Sequence, residues 1–307
     1  MKPDLSVQLG PLELSNPVMT ASGTFGYGSE YEEFFDPSVL GAVVVKGVAP
    51  EPVHGNPTPR VAEVTGGMIN AIGLQGPGVD RFLHDPHYLP WLKEHHCKVI
   101  VNIWGKSVED YRLVAERMEA ESDGIAALEI NVSCPNVKEG GISFSSDPAA
   151  MGKVVAAVRS ATRLPLITNL SPNVKSMPEC ARAAAANGSD IVSMINTIPA
   201  MAIDIETRRP KIANITGGLS GPAVKPVAVK MVYETARAVD IPIIGMGGIC
   251  SGEDAVEFLL AGASAVAVGT AIFADPTAPL KVLHGISAYL ERHGCRSVRE
   301  IIGAVRV

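Results

Sequence analysis

The chain has 307 residues, of which 47% are hydrophobic and 19% are charged, and this length and composition suit one large α/β domain; its formal net charge is −6. It has no run of lysine and arginine interleaved with aromatic residues and no apolar run of the roughly 20 residues that span a bilayer, so we expect no nucleic-acid partner and no membrane span. Because its five cysteines are scattered without a C-x-x-C pair and residues 1–10 lack a basic-then-apolar signal, we expect a cytoplasmic protein without disulfides.

Short apolar runs recur along the chain, each followed by a helical pattern, after a first segment (residues 5–16) that we expect to form a hairpin. The runs are continuous rather than alternating, which is typical of parallel strands covered on both faces. The predicted strands are residues 17–23, 42–48, 98–105, 126–133, 165–171, 191–197, 241–248 and 265–270.

Amphipathic helices are predicted between the strands, for example over residues 107–122, 147–162 and 251–263, which begin with Ser or Asp, both favoured helix caps. Eight strand-then-helix units predict an α/β fold, a (β/α)8 TIM barrel over residues 1–307 as a single domain, with the hairpin plugging its lower end. A doubly wound open sheet is disfavoured because no G-x-G-x-x-G motif opens the first strand-to-helix turn.

Two connections, residues 49–80 and 198–222, follow the second and sixth predicted strands and are too long for plain turns. Long connections of this kind usually form lids or walls of a functional site.

The carboxyl ends of the strands form the active site in barrels of this type. Amides and small residues dominate there, so we expect neither a catalytic metal nor a pair of catalytic carboxylates. The tract from His95 to Cys97 resembles metal ligands in composition, but adjacent residues do not readily face one ion. Glu129, inside the fourth strand, is expected to be a satisfied interior charge. The strand-end residues are Ser22, Gly23, Lys46, Asn102, Asn131, Cys134, Asn169, Ser171, Asn196, Thr197, Gly247, Gly248, Gly269 and Thr270.

The glycines after the last two strands, in GMGGI (residues 245–249) and AVAVGT (residues 265–270), predict a phosphate site. Backbone N–H groups that no side chain obstructs bind anions near a helix N-terminus. The other interpretation is that these are tight turns that need a positive φ.

The asparagines narrow the class of ligand, because each side chain offers both a donor and an acceptor to the edge of a heterocycle. A single asparagine is more often a turn residue, but their gathering at strand ends favours a binding role. One group would line a pyrimidine-like ring and another a second ring system: Asn70, Asn131, Asn196 and Thr197 for the first, Asn102 and Ser22 for the second.

The segment EINVSCPN (residues 129–136) places a thiol, Cys134, just past a predicted strand and between Asn131 and Asn136. Two interpretations are open at this point: a packed strand end, or a reactive group held beside a polar ligand.

Longer motifs extend these observations: TASGTFGYG (20–28), VVVKGV (43–48), NPTPR (56–60), MINAIGLQGPG (68–78), NVSCPNVKEGG (131–141), NLSPNV (169–174), INT (195–197), GGLSGPAVKP (217–226), MGGI (246–249) and VGTA (268–271). Over essentially its whole length the chain resembles the class 1 dihydroorotate dehydrogenases, most closely the catalytic subunit of the NAD-linked (1B) type.

The resemblance implies FMN in the barrel mouth and the oxidation of (S)-dihydroorotate to orotate in de novo pyrimidine (UMP) biosynthesis. It implies that Cys134 is the base that takes a proton from C5 of the substrate, while C6 delivers a hydride to flavin N5. A thiol pKa near about 8.5 suits this role at mildly alkaline pH. The implied substrate contacts are Lys46, Asn70, Asn131, Asn196 and Thr197. The implied FMN contacts are Ser22, Lys46, Gly47, Asn70, Ala71, Ile72, Gly73, Leu74, Asn102, Asn131, Asn169, Ile195, Gly221, Gly247, Gly248, Gly269 and Thr270.

One residue departs from the family pattern: Asn169 stands where a lysine is usual, near flavin N1 and C2=O. An amide supplies no cation there, so we expect a lower flavin potential or a slower reduction. Trp104, where a small residue is common, is expected to reshape the same wall.

Partners also follow from the resemblance. With NAD⁺ as the acceptor it implies a homodimer joined by a second subunit that carries FAD and an iron–sulfur cluster, in a heterotetramer. Two alternatives stay open: a related flavin reductase acting on another dihydropyrimidine, and a phosphate-binding barrel without redox chemistry.

Overall fold

The computed structural model describes residues 2–132, 138–139, 142–143 and 147–307, the two short ranges by their backbone only. The strands within these residues are β1 (Val7–Leu9), β2 (Leu12–Leu14), β3 (Val18–Thr20), β4 (Val43–Val44), β5 (Val61–Val64), β6 (Gly67–Asn70), β7 (Val99–Ile103), β8 (Ile125–Asn131), β9 (Lys138–Glu139), β10 (Ile142–Ser143), β11 (Leu166–Asn169), β12 (Ile191–Met194), β13 (Ile198–Ala200), β14 (Ile203–Asp204), β15 (Arg209–Pro210), β16 (Gly217–Ser220), β17 (Ile243–Met246) and β18 (Ala265–Val268). The helices are α1 (Val79–His84), α2 (Leu89–Glu94), α3 (Val108–Ala120), α4 (Pro148–Ala161), α5 (Met177–Ala186), α6 (Lys225–Ala236), α7 (Gly252–Ala261), α8 (Ala271–Ala274) and α9 (Ala278–His293).

Eight strands form one parallel sheet in the order β3-β18-β17-β12-β11-β8-β7-β4. Its two outer strands meet through a bridge between Met19 and Ala42, and the N–H of Gly41 donates to the carbonyl of Val18 at 2.8 Å. The sheet therefore closes on itself, and the predicted barrel is confirmed. Each strand lies inside its predicted range or extends it by one residue.

The strands read as unbroken apolar runs because both of their faces are covered. All five residues of β7 and all four of β18 are buried, between the barrel interior and the helices outside. The helices begin where the capping residues predict. Ser107 accepts a hydrogen bond from the N–H of Asp110 at the start of α3, and Ser251 and Asp254 form a reciprocal capping box at the start of α7.

The predicted N-terminal hairpin is formed by β1 and β2, which pair antiparallel. Its inward residues, such as Leu9 and Leu14, are fully buried. A methyl group on Gly10, in the hairpin turn, would lie 3.4 Å from the carbonyl oxygen of Asp190, which precedes β12. The hairpin thus packs on the amino ends of the strands and leaves their carboxyl ends open.

The two long connections form one sheet together. Residues 49–80 contain β5 and β6, residues 198–222 contain β13 to β16, and four of these strands pair in the order β13-β16-β6-β5. We call this four-stranded unit the crown sheet. It stands at the carboxyl end of the barrel, since β13 begins just after β12 ends. In the described part of the chain, no helix is long and apolar enough to cross a membrane.

Candidate active site

The predicted strand-end residues that the structure describes gather around one end of the barrel, because all eight strands are parallel. Contacts between neighbours tie them into a rim. The hydroxyl of Ser22 donates to the carbonyl of Val45 at 2.9 Å, beside Lys46. A methyl group on Gly269 would lie 3.3 Å from Cβ of Ala21, beside Ser22. The ends of β3, β4 and β18 therefore share one part of the rim.

A continuous chain of hydrogen bonds crosses the rim through β7, β8, β11 and β12. We call it the amide chain, and its members in order are Asn131, Asn102, Glu129, Ser193, Asn169 and Asn196. Its links are Asn131 Nδ2 to Asn102 Oδ1 (3.5 Å), Asn102 Nδ2 to Glu129 Oε1 (2.6 Å), Ser193 Oγ to Glu129 Oε2 (2.8 Å), Asn169 Nδ2 to Ser193 Oγ (3.1 Å) and Asn196 Nδ2 to Asn169 Oδ1 (3.1 Å). Four asparagines predicted as ligand contacts are thus brought together by the barrel wall.

Glu129 stands in the middle of the amide chain and is only 1% exposed. Burial raises the pKa of its carboxyl, against hydrogen bonds from Ser193, Asn102 and Asn169 that lower it. The expected burial of Glu129 with its hydrogen bonds satisfied is confirmed, and the described groups that satisfy it are neutral.

Lys46 lies just past β4 and is half-buried. Burial, followed by the positive charge of Arg60, lowers the pKa of its ammonium. No carboxylate or hydrogen-bond acceptor among the described residues offsets these effects. A desolvated cation without a counter-charge favours an anionic ligand at this place.

Trp104 lies directly behind Gly47. A methyl group on Gly47 would lie 2.9 Å from Cδ1 of Trp104 and 3.0 Å from Oδ1 of Asn102. The indole Nε1 of Trp104 and the hydroxyl of Tyr27 are buried and have no hydrogen-bond partner within the residues that the structure describes. This wall therefore holds unused hydrogen-bonding capacity next to a predicted cofactor contact.

The interpretation as tight turns holds for the glycines at the end of β17 and not for Gly269 at the end of β18. Gly247 and Gly248 have φ values of 124° and 77°, so their turn does require glycine. Gly269 has no such constraint. Among the described residues, the backbone N–H groups of Gly248, Gly269 and Thr270 donate no hydrogen bond. These N–H groups are thus available to an anion.

The crown sheet brings Asn70 to the rim. Asn70 Nδ2 donates to the carbonyl of Gly218 at 3.4 Å, and a methyl group on Gly218 would overlap the hydroxyl of Thr197. The N–H of Thr197 in turn donates to Oδ1 of Asn196 at 2.7 Å. The predicted substrate contacts of the crown sheet and of β12 therefore meet.

Other predicted cofactor contacts flank this region. Residues 71–74 form a loop held by the segment 55–60, since the N–H of Ala71 donates to the carbonyl of Arg60 at 2.8 Å. Leu74 in this loop has a φ of 54°, a conformation that a non-glycine residue rarely adopts. Gly221 lies against Gly248, whose added methyl would be 2.7 Å from the Gly221 carbonyl oxygen. Ile195 is buried, and its N–H donates to the carbonyl of Met246 at 3.0 Å.

The predicted base, Cys134, lies outside the described residues. Asn131, three residues earlier, pairs with Asn169 across β8 and β11, and its backbone carbonyl accepts from the hydroxyl of Tyr111 at 2.8 Å. In the ranges that the structure describes, no group of three His, Cys, Asp or Glu side chains is placed to hold a metal ion. His95 instead stacks on Trp91, with ring centroids 3.9 Å apart.

Sequence reasoning missed two residues of this site. Ser193 links Glu129 to Asn169, and its signal was a lone hydroxyl in the buried strand IVSM. Arg60 places a second positive charge near Lys46, and its signal was its place in the motif NPTPR.

Comparison with known proteins agrees with the motifs. The family model for dihydroorotate dehydrogenase matches residues 4–290. The chain belongs to the dihydroorotate dehydrogenase family. Similar relatives include proteins of Alkaliphilus oremlandii (54% identical over 300 residues, 98% of each chain), Bacteroides fragilis (54% over 304 residues, 99% of each) and Geotalea uraniireducens (52% over 304 residues, 99% of each). All three are named dihydroorotate dehydrogenase B (NAD(+)), catalytic subunit. The resemblance read from the sequence motifs is confirmed.

Proposed function

We propose that this chain oxidises (S)-dihydroorotate to orotate in de novo pyrimidine biosynthesis, as the catalytic subunit of an NAD⁺-linked dihydroorotate dehydrogenase. The observation that carries the proposal is the half-buried ammonium of Lys46, which has no counter-charge among the described residues and whose neighbour Gly47 lies against Asn102 of the amide chain. A planar carboxylated pyrimidine and a phosphorylated flavin both offer the negative charge and the amide-like edges that such a wall binds.

The described residues fit FMN as the cofactor. The N–H groups of Gly248, Gly269 and Thr270, which donate to no described residue, suit a phosphate. The indole N–H of Trp104 beside Gly47, which has no partner in the described part of the chain, suits a polar ring edge. The residues proposed to hold the cofactor are Ser22, Lys46, Gly47, Asn70, Ala71, Ile72, Gly73, Leu74, Asn102, Asn131, Asn169, Ile195, Gly221, Gly247, Gly248, Gly269 and Thr270. When bound, FMN supplies the two-electron acceptor for the hydride that leaves C6 of the substrate.

The chain itself supplies orientation, charge and a proton acceptor. Lys46 would pair with the negative charge of a ligand, while Asn70, Asn131, Asn196 and Thr197 would fix the plane and rotation of the substrate ring. The Cys134 thiolate would take the proton from C5. Because hydrogen bonds within the barrel wall hold the amides in place, they would position the substrate at little cost in reorganisation.

A partner subunit completes the proposal. The names of the relatives describe a catalytic subunit and NAD(+). We infer a homodimer of this chain that passes electrons to a second subunit carrying FAD and an iron–sulfur cluster, and we infer a cytoplasmic location.

Anaerobic mixing of the purified protein with dihydroorotate tests the proposal. We expect a yellow protein whose flavin absorption band bleaches on mixing. A colourless protein that never takes up FMN contradicts the flavin assignment, and bleaching by other dihydropyrimidines alone contradicts the substrate.

The role of the thiol is tested by substitution. Cys134→Ala is expected to retain FMN and to lose most of the turnover, while Cys295→Ala serves as a matched control thiol and keeps both. A near-normal rate in Cys134→Ala would assign the base to another group.

A further inference from the structure

Glu129 stands at the centre of the amide chain, and the two ends of the chain are asparagines that Glu129 does not itself reach. Glu129 accepts a hydrogen bond from Asn102 on one carboxyl oxygen (2.6 Å) and from Ser193 on the other (2.8 Å). From Asn102 the chain continues to Asn131, and from Ser193 it continues through Asn169 to Asn196. The two outer asparagines are both proposed substrate contacts; Asn131 ends β8, and Asn196 lies just past β12.

The register of the barrel strands explains this convergence. Glu129 pairs with Asn102 across β7 and β8, and Asn169 pairs with Asn131 on one side and with Ser193 on the other. Cross-strand neighbours and residues two apart on one strand share a face of the sheet, so the polar side chains stack in adjacent layers. Glu129, Asn102, Asn169 and Ser193 are all nine-tenths or more buried.

Each link also fixes the direction of the next side chain. Because the Nδ2 of Asn102 donates to Glu129, its Oδ1 is turned toward Asn131. Because Ser193 accepts from Asn169 Nδ2, the Oδ1 of Asn169 is turned toward Asn196. If the amide of Asn102 or Asn169 were flipped by 180°, its donor would face the donor of the next asparagine. The carboxyl of Glu129 therefore selects one orientation for each of these amides.

We propose that Glu129 is a positioning residue that sets the orientation of both substrate-binding asparagines, Asn131 and Asn196, from beneath the site. This rests on the proposed function. The action is through hydrogen bonds and not through charge, since the partners of Glu129 within the described ranges are all neutral: Asn102, Ser193 and Asn169. Glutamine at this position keeps the arrangement, because its oxygen accepts from Asn102 and its amide nitrogen donates to Ser193, which has a second lone pair to receive it.

Orotate binding to the FMN-loaded protein, measured by calorimetry, tests the proposal. Glu129→Leu is expected to weaken orotate binding about tenfold, as the loss of orientation of two hydrogen-bonding groups implies. Glu129→Gln is expected to stay within about threefold of the wild type. The matched control is Thr168→Val, which removes another fully buried hydroxyl of β11 that bonds Ser189 outside the amide chain, and it should leave orotate binding unchanged.

A double-mutant cycle separates positioning from a general loss of structure. In an Asn131→Ala or an Asn196→Ala background, Glu129→Leu should weaken orotate binding only about threefold, because one of the two asparagines that Glu129 orients is already missing. If Glu129→Leu does not fold, Ser193→Ala replaces it, because it breaks only the links that lead to Asn196. Its effect on orotate affinity should be non-additive with that of Asn196→Ala and additive with that of Asn131→Ala.

Several results would overturn the inference. They are wild-type affinity in Glu129→Leu, an equal loss in Glu129→Gln and Glu129→Leu, full additivity in the cycles, or a tenfold loss in Thr168→Val. A wild-type protein that binds no orotate would instead contradict the proposed function, so the two failures are distinguishable.

Discussion

Replacing Lys46 by methionine is expected to weaken ligand binding and to stabilise the ligand-free protein. The two side chains have similar length, but methionine carries no charge. In the structure the ammonium is half-buried, close to the like charge of Arg60, and burial lowers its pKa below the usual 10.5. A charge in this situation destabilises the ligand-free fold, and it is stabilised when an anion binds next to it.

The magnitudes follow from these two states. A hydrogen bond to a charged group contributes about 1.5–3 kcal/mol, so FMN affinity should fall about 10- to 150-fold. Removing a poorly solvated polar group recovers about 1 kcal/mol in the empty protein, or about 2 °C in Tm.

The pH dependence has a definite sign. Since the pKa of Lys46 is lowered on folding, the penalty is complete at pH values below the folded pKa and disappears as the pH rises toward 10.5. The stability gained by Lys46→Met should therefore be largest at pH values below the folded pKa, should shrink as the pH rises, and should vanish near pH 10.5.

The assay compares flavin-stripped proteins. Quenching of flavin fluorescence on titration gives the FMN affinity, and thermal melting gives the stability of the same samples. Lys153→Met, at an exposed lysine of α4, controls for the loss of a charge as such. Lower Tm together with unchanged FMN affinity in Lys46→Met would refute the reasoning.

Three further predictions concern the rim. Asn169→Lys should raise the midpoint potential of the bound flavin by adding a cation, and an unchanged potential in a redox titration would rule this out. Gly248→Ala should lose about 1–3 kcal/mol of stability, because its φ is 77° and its methyl would lie 2.7 Å from a carbonyl oxygen, whereas Gly269→Ala should melt almost as the wild type, as calorimetry can check. Asp254→Ala should lose about 1–3 kcal/mol of unfolding free energy at pH 7, because this carboxylate caps α7 and pairs with Lys225 at 2.7 Å. Burial raises the pKa of Asp254, but Lys225 and backbone N–H groups lower it below 3.8. The difference in unfolding free energy should therefore shrink when denaturation is measured at pH values falling below 3.8.

Much of the site was predictable because its chemistry follows from its position on the barrel. Once eight strands are assigned, the carboxyl end of each is known, and Lys46, Asn102, Asn131, Asn169 and the later residues fall there without knowledge of any contact. Which atoms of these residues are engaged was not predictable. The Nδ2 of Asn102 bonds Glu129, and the hydroxyl of Ser22 bonds the carbonyl of Val45.

The sequence alone determined the elements whose causes are local. Three kinds of feature depend only on neighbours within a few residues. They are the apolar runs covered on both faces, the helix starts at Ser107 and Ser251, and the turn that needs glycine at positions 247 and 248. The tertiary structure decided what depends on closing the barrel. Asn70 meets Gly218 across 148 residues of chain, and Glu129 finds its partners on two neighbouring strands and one beyond. Such contacts have no periodic signature, because a strand's pattern indicates which face is buried and not which side chains of distant strands will lie against it.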